Sequence, residues 1–142
     1  MIEQVLSGDV IVAIIIRSNY SKPGISFFTP DDFSQQLAYM QHPRGKLIQS
    51  HIHNEVKRSI HHTKEVLFIR KGKLRVDLYD DQQHYLESKI LEAGDVILLA
   101  SGGHGFEVLE EIEMVEVKQG PYAGDDDKTH FEGIQPAHVI IK

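Results

Sequence analysis

Seven consecutive apolar residues, Val10–Ile16 (VIVAIII), constrain this 142-residue chain more than any other feature. Six of the seven are β-branched, which crowds χ1 against a helical turn and suits a pleated strand. Because the apolar residues are consecutive and do not alternate, the run reads as a strand buried on both faces, at a subunit interface. A homodimer is the expectation drawn from that reading. At seven residues the run is too short to span a bilayer. The preceding Met1–Asp9 is acidic and lacks the positive region of a signal peptide, so the expected location is cytoplasmic, with no membrane partner.

The remaining chain reads as short strands punctuated by turns. SKPG (21–24) is a turn signal. Thr29 as N-cap, Pro30 at the first helical position and Asp31/Asp32 in the first turn predict one short helix. A strand is expected from Gln36, closed by the turn His42-Pro43-Arg44-Gly45. Further strands are expected at KLIQSHIH (46–53), EVLFIRKG (65–72), KLRVDLY (73–79), HYLESKILEAGD (84–95) and VILLA (96–100), then at FEVLEE and IEMVEVKQG. Asp80–Gln83 reads as a hairpin loop and SGGHG (101–105) as a glycine-rich turn. PYAGDDDKTHFEGIQP is read as a loop before a last strand, AHVIIK. Many short strands at this spacing predict an all-β sandwich or barrel in a single domain.

Composition narrows the function. A domain of this length buries roughly 68–70% of its unfolded surface and folds without staples, so a bound metal would be functional and not structural. Cysteine is absent, which excludes disulfide frameworks, zinc ribbons, iron–sulfur clusters and thiol nucleophiles. The net charge of −6 provides no basic footprint for nucleic acid. No phosphate-binding glycine loop and no serine nucleophile motif is present.

The chemistry concentrates in SHIHNEVKRSIHHTKE (50–65). Strand parity puts His51 and His53 on one face and splits the adjacent His61 and His62 between two. A straight strand would carry His61 roughly 26 Å beyond His53. A hairpin turning near Ser59, in a register opposing His53 to Glu65, would gather two imidazoles and a carboxylate, with His61 nearer the mouth. Such donors suit Zn, Fe(II), Mn, Ni or Cu. Arg58 and Lys57 at the tip would meet an anionic or sugar ligand, and Tyr39 and Gln49 are pocket-wall positions.

Two motifs resemble those of the cupin superfamily. Gly45, five residues, His51-Ile52-His53 and then Glu65, six residues, Gly72 resemble the first, G-x5-H-x-H-x3–4-E-x6-G. Gly94, five residues, Ala100-Ser101-Gly102-Gly103-His104 resemble the second, G-x5-P-x-G-x2-H. The departures are eleven residues between His53 and Glu65, alanine in place of proline, and a histidine one position early. Counting back from Glu65 reaches His61 with Ser59 as partner, whereas counting forward from Gly45 reaches the same-face pair, which is preferred.

The resemblance spans about residues 45–118 and implies a jelly-roll barrel, a cupin-type double-stranded β-helix with at most one short helix. It further implies a divalent transition metal (Zn, Fe, Mn or Ni) held by His51, His53, Glu65 and His104. Tyr39, Gln49, Arg58 and His61 are the accompanying ligand-binding positions. It is similar to small single-domain cupins found among bacterial surface-polysaccharide genes. The implied functions are a metal-dependent enzyme of oxygenase or isomerase type acting on a small polar molecule, a non-catalytic binder of a sugar or carboxylate-like ligand, or a metal-free barrel dimer.

Overall fold

A computed structural model describes residues 1–142. It contains eight strands: β1 (Ile2–Ser7), β2 (Val10–Ile16), β3 (Gly24–Phe27), β4 (Ala38–Gln41), β5 (Glu65–Tyr79), β6 (Tyr85–Glu92), β7 (Val96–Leu99) and β8 (Gly103–Lys118). No α-helix forms, and the only helical turns are short 3₁₀ segments at Gly124–Asp127 and Pro136–His138. The chain divides into two compact units, Met1–Tyr20 with Thr63–Lys142, and Ser21–His62.

The first unit is an antiparallel sheet curled into a half-barrel, ordered β1-β2-β7-β5-β6, with β8 on the far side of β5. The VIVAIII run is its β2, hydrogen-bonded to β1 on one side and β7 on the other. Ala13 and Ile15 join the core on one face, while Ile14 is buried on the opposite face. Both edges of β2 are therefore occupied within the chain itself. The inner face collects Val5, Val12, Leu67, Ile69, Leu74, Val76, Leu78, Leu91, Ile97 and Leu99 into one cluster.

EVLFIRKG and KLRVDLY, expected as separate strands, are one fifteen-residue β5. FEVLEE and IEMVEVKQG likewise merge into the sixteen-residue β8. The two pair along almost their whole length, with register breaks between Ile69 and Leu74. Bulges of this kind bend a ribbon without ending it, which is why a glycine that looked like a turn signal lies inside a strand. Gly72 sits at that bend with φ +90°, and a Cβ there would stand 1.9 Å from the Glu111 carbonyl oxygen.

Polar groups fasten the two ends of the sheet. Asp95, 4% exposed, accepts from the Ser18 and Glu92 backbone N–H groups and from Arg17, whose Nε also pairs with Glu3 at 2.6 Å. On the outer face of β5–β6, Asp77 accepts from the wholly buried Ser88 hydroxyl, which bonds the Tyr85 hydroxyl at 2.7 Å. The AHVIIK segment lies there as a bridge, parallel to β6 at Ser88, and not as a full strand.

In the second unit, β3 pairs with β4. The strand expected from Gln36 forms as Ala38–Gln41. The predicted helix at Pro30 does not form. The Thr29 hydroxyl donates to Gln36 Oε1 at 2.6 Å and accepts from the Leu37 N–H, and the Gln36 amide donates to the Pro30 and Phe33 carbonyls. These side chains close the loop and satisfy the groups that a helix turn would have bonded.

The strand expected over residues 46–53 and the hairpin turning near Ser59 are corrected. Residues 46–62 carry no strand or helix, and all of them are exposed. Glu65 pairs in the sheet with Leu99 and Lys118. The stretch NEVKRSIHHTK has no repeating apolar face with which to hold a hairpin arm, whereas VLFI offers Val66 and Leu67 to two neighbours at once.

The bend at Gly72 generates a stability prediction. Gly72→Ala should cost at least about 2 kcal/mol, because both the positive φ and the backbone contact forbid a methyl group. That should lower the thermal midpoint by roughly 5–10 °C. Gly105→Ala, on the same β8 but with open space at its Cβ, should move it little.

Candidate functional site

Along the β5–β8 ladder, Glu65 stands opposite Lys118 and His104 stands opposite Leu78. If the ribbon were straight, those two positions would lie roughly 43 Å apart. In the curled sheet, His104 Nε2 lies 3.0 Å from Glu65 Oε1. Both project on the inner face, where Leu67, Ile69, Val76 and Leu78 form the adjoining apolar wall. The side chains keep 26% and 15% of their exposure, so the pair is shielded yet reachable.

Three neighbours set the character of the pair. The Phe106 ring lies 5.2 Å from the His104 ring, two residues along the same face of β8. Glu116 opposes Leu67 in the ladder, which makes it a diagonal same-face neighbour of Glu65. The two carboxyls are close enough to shift each other's ionisation. The hydrogen bond from His104 is the main reason that Glu65 falls to about 2, with burial opposing and Glu116 and the His104 charge assisting. Glu116 moves the other way, raised first by its hydrogen bond with Glu65 and then by burial and the Glu65 charge. One carboxylate is thus held ionised beside another that is held back from ionising.

His104 owes its position to the turn before it. Gly102, at φ +70°, passes so close to Tyr79 that a Cβ would meet its carbonyl oxygen at 2.1 Å. The SGGHG segment is therefore a turn only as far as Gly102, and His104 is already the second residue of β8.

The remaining sequence-derived positions lie in the other unit. The His51 and His53 rings meet edge-on with centroids 5.1 Å apart. The His51 Nδ1–H donates to the Gln49 carbonyl at 3.0 Å, which leaves Nε2 of the neutral ring as the lone-pair nitrogen. This gives Gln49 a role through its backbone. Tyr39 is half-buried in β4 opposite Ser26. Arg58 and His61 are exposed in the irregular segment. Within neither unit do three or more histidine, aspartate or glutamate side chains gather as a metal centre. In chemistry, the Glu65 and His104 donors fit a divalent transition cation, one imidazole nitrogen and one carboxylate oxygen facing each other.

Sequence reasoning did not identify Glu116. It is one of five glutamates in β8, and only the register against β5 distinguishes it from the others.

The opposed shifts give a pH prediction. A carboxyl lowered on folding contributes stability that is present above its unfolded value, near 4.5, and lost as pH falls toward about 2. Glu116, raised on folding, contributes in the opposite sense and loses its share as pH rises through its folded value. In chelator-treated protein, the Glu65→Gln variant should therefore lose much of the decline in stability between pH 4.5 and 2, as read by denaturant unfolding across pH.

No protein-family model matches the chain, and neither curated proteins nor solved structures provide a match.

Proposed function

We propose that this protein binds a small polar molecule, a sugar or a carboxylate-like compound, on the inner face of a cupin-type jelly roll, with the Glu65–His104 pair as its centre. The observation that supports this reading is the convergence of two residues 39 positions apart in sequence, both drawn from the cupin-like motifs, at 3.0 Å on a partly open face. A purely structural ion pair has no need of the aromatic ring or the second carboxyl beside it. Those two groups supply what a polar ligand uses, an apolar plane to lie against and a hydrogen-bonding acid.

The roles follow from the chemistry. Glu65, ionised throughout the physiological range, accepts hydrogen bonds from hydroxyl or ammonium groups. His104 holds a proton at Nε2 that a ligand oxygen can take as a hydrogen bond in place of Glu65. Glu116 positions Glu65, and Phe106 excludes water from one side. Isomerisation or oxygenation would draw on the same groups for proton placement.

A divalent transition metal is part of the proposal, with Glu65 Oε1 and His104 Nε2, once it gives up its proton, as donors. When bound, it would act as a Lewis acid toward a ligand oxygen. Sugar or polysaccharide metabolism, a cytoplasmic location and a homodimeric state complete the reading. A second reading has its own observation: Glu65 and His104 satisfy each other directly, as in a metal-free barrel whose ion pair only stabilises.

Metal analysis of the purified full chain separates the two. The expected result is about one divalent ion per chain, with binding lost in Glu65→Gln and in His104→Ala. Absence of metal, together with a thermal midpoint unmoved by Zn, Mn, Ni or Fe(II), removes the metal from the proposal. Ligand binding is tested by calorimetry with sugar nucleotides and simple sugar acids, and Glu116→Gln should weaken any such binding.

A further inference from the structure

One cation of the sheet lacks what its counterparts have. Within the strands, Lys73, Arg75, Lys89 and Lys118 are the lysines and arginines that are partly or wholly buried. Lys73 pairs with Glu92 and Glu110, Arg75 with Asp77 and Glu107, and Lys89 with Glu3 and Glu87. Lys118 is drawn into no ion pair, although its own strand carries five glutamates. A shielded charge without a counter-charge costs free energy. Such groups cluster at functional sites, where a ligand can supply what is missing.

Register places that ammonium beside the Glu65–His104 pair. Lys118 stands directly opposite Glu65 in the ladder, so both side chains project on the inner face. The next pair along is a hydrogen-bonded one, with the Gln119 N–H donating to the Lys64 carbonyl at 3.0 Å. Glu65 and Lys118 therefore form a non-hydrogen-bonded pair, the kind whose side chains stand closest, with Cβ atoms roughly 4.5–5.5 Å apart. A lysine at that range could close on the carboxylate, yet it is His104 that engages Glu65 Oε1. The Lys118 charge acts on both Glu65 and Glu116, and that of Lys128, in the segment after β8, acts on Glu116. Lys118 thus keeps its three N–H donors uncommitted at the end of a flexible stem.

The geometry points to Lys118 as the residue that makes this site take a hydroxy carboxylate, a small acid with a hydroxyl beside its carboxylate, in preference to a neutral sugar. The ligand carboxylate meets the Lys118 ammonium. Its hydroxyl accepts from His104 Nε2 and donates to Glu65. Charge-assisted hydrogen bonds are roughly twice as strong as neutral ones, so the carboxylate contact governs selection. Lys118 and Lys128 together offset the Glu65 charge that would otherwise repel an anion. The inference rests on the inner face being a ligand site, as proposed above, and adds the charge of what that site takes.

Calorimetric titration of the full chain with gluconate, glucose and inorganic phosphate tests it. Gluconate should bind, less tightly as salt is added, and glucose should bind at least roughly tenfold more weakly. Lys118→Met keeps the stem and removes the charge. It should weaken gluconate binding roughly ten- to a hundredfold and leave glucose unchanged. Lys118→Arg should restore most of the gluconate affinity. Because Lys118 closes no ion pair, both variants should keep the wild-type thermal midpoint. Glucose bound as tightly as gluconate, or gluconate binding indifferent to Lys118→Met, overturns the inference and leaves the inner-face site standing. Phosphate bound more tightly than gluconate overturns the carboxylate assignment. A chain that binds none of the three removes the ligand site itself, and the inference with it.

Discussion

Where β5 and β8 bend at Gly72, the two backbones come closer than any side chain would permit. A methyl group at Gly72 would overlap the Glu111 carbonyl, so the ribbon bends only because that position has no Cβ and tolerates φ +90°. The pairing and curl of the first unit depend on this bend. The first half of β5 pairs with β7 and the second half with β6, which lets one strand serve two parts of a curled sheet. The same bend brings the two ends of the ribbon round to each other, so that Glu65 and His104 meet across the inner face.

Electrostatics then divide the first unit into fastening and exposed chemistry. Asp95 and Asp77 are almost wholly buried, and each is satisfied by several donors, from backbone, arginine and serine. Buried carboxylates with complete partners hold strands in place and have little left to offer a ligand. Glu65 differs in sharing a partly open face with one imidazole and one reluctant acid. That asymmetry, more than the count of acidic residues, sets Glu65 apart from the other carboxylates.

The sheet edges are managed unequally. The C-terminal segment covers β6, and the Tyr85 hydroxyl accepts the Ile140 N–H to hold it there. β8 has no such cover, and its glutamates at 107, 110 and 111 are drawn toward Arg75, Lys73 and Lys71 on β5. This ties the strand to its existing neighbour and leaves the outer edge with apolar side chains and unpaired backbone.

Local chemistry determined much of this protein in advance. Six β-branched residues in seven made β2 a strand, and their lack of alternation made it buried on both sides. Alternation in KLRVDLY marked Leu74, Val76 and Leu78 as core, and the Asp80–Gln83 loop followed from its polarity. The cupin-like spacings, Glu65 to Gly72 and Gly94 to His104, drew attention to both members of the pair. Only the tertiary structure decided the rest. Whether a glycine ends a strand or bends it depends on what the neighbouring backbone needs, so Gly72 read as a boundary and proved a bulge. A strand exists only with a partner, so KLIQSHIH, strand-like in composition, stays irregular. Glu116 became part of the site through register alone, because ladder pairing places residues distant in sequence on one face, and no local pattern encodes that distance.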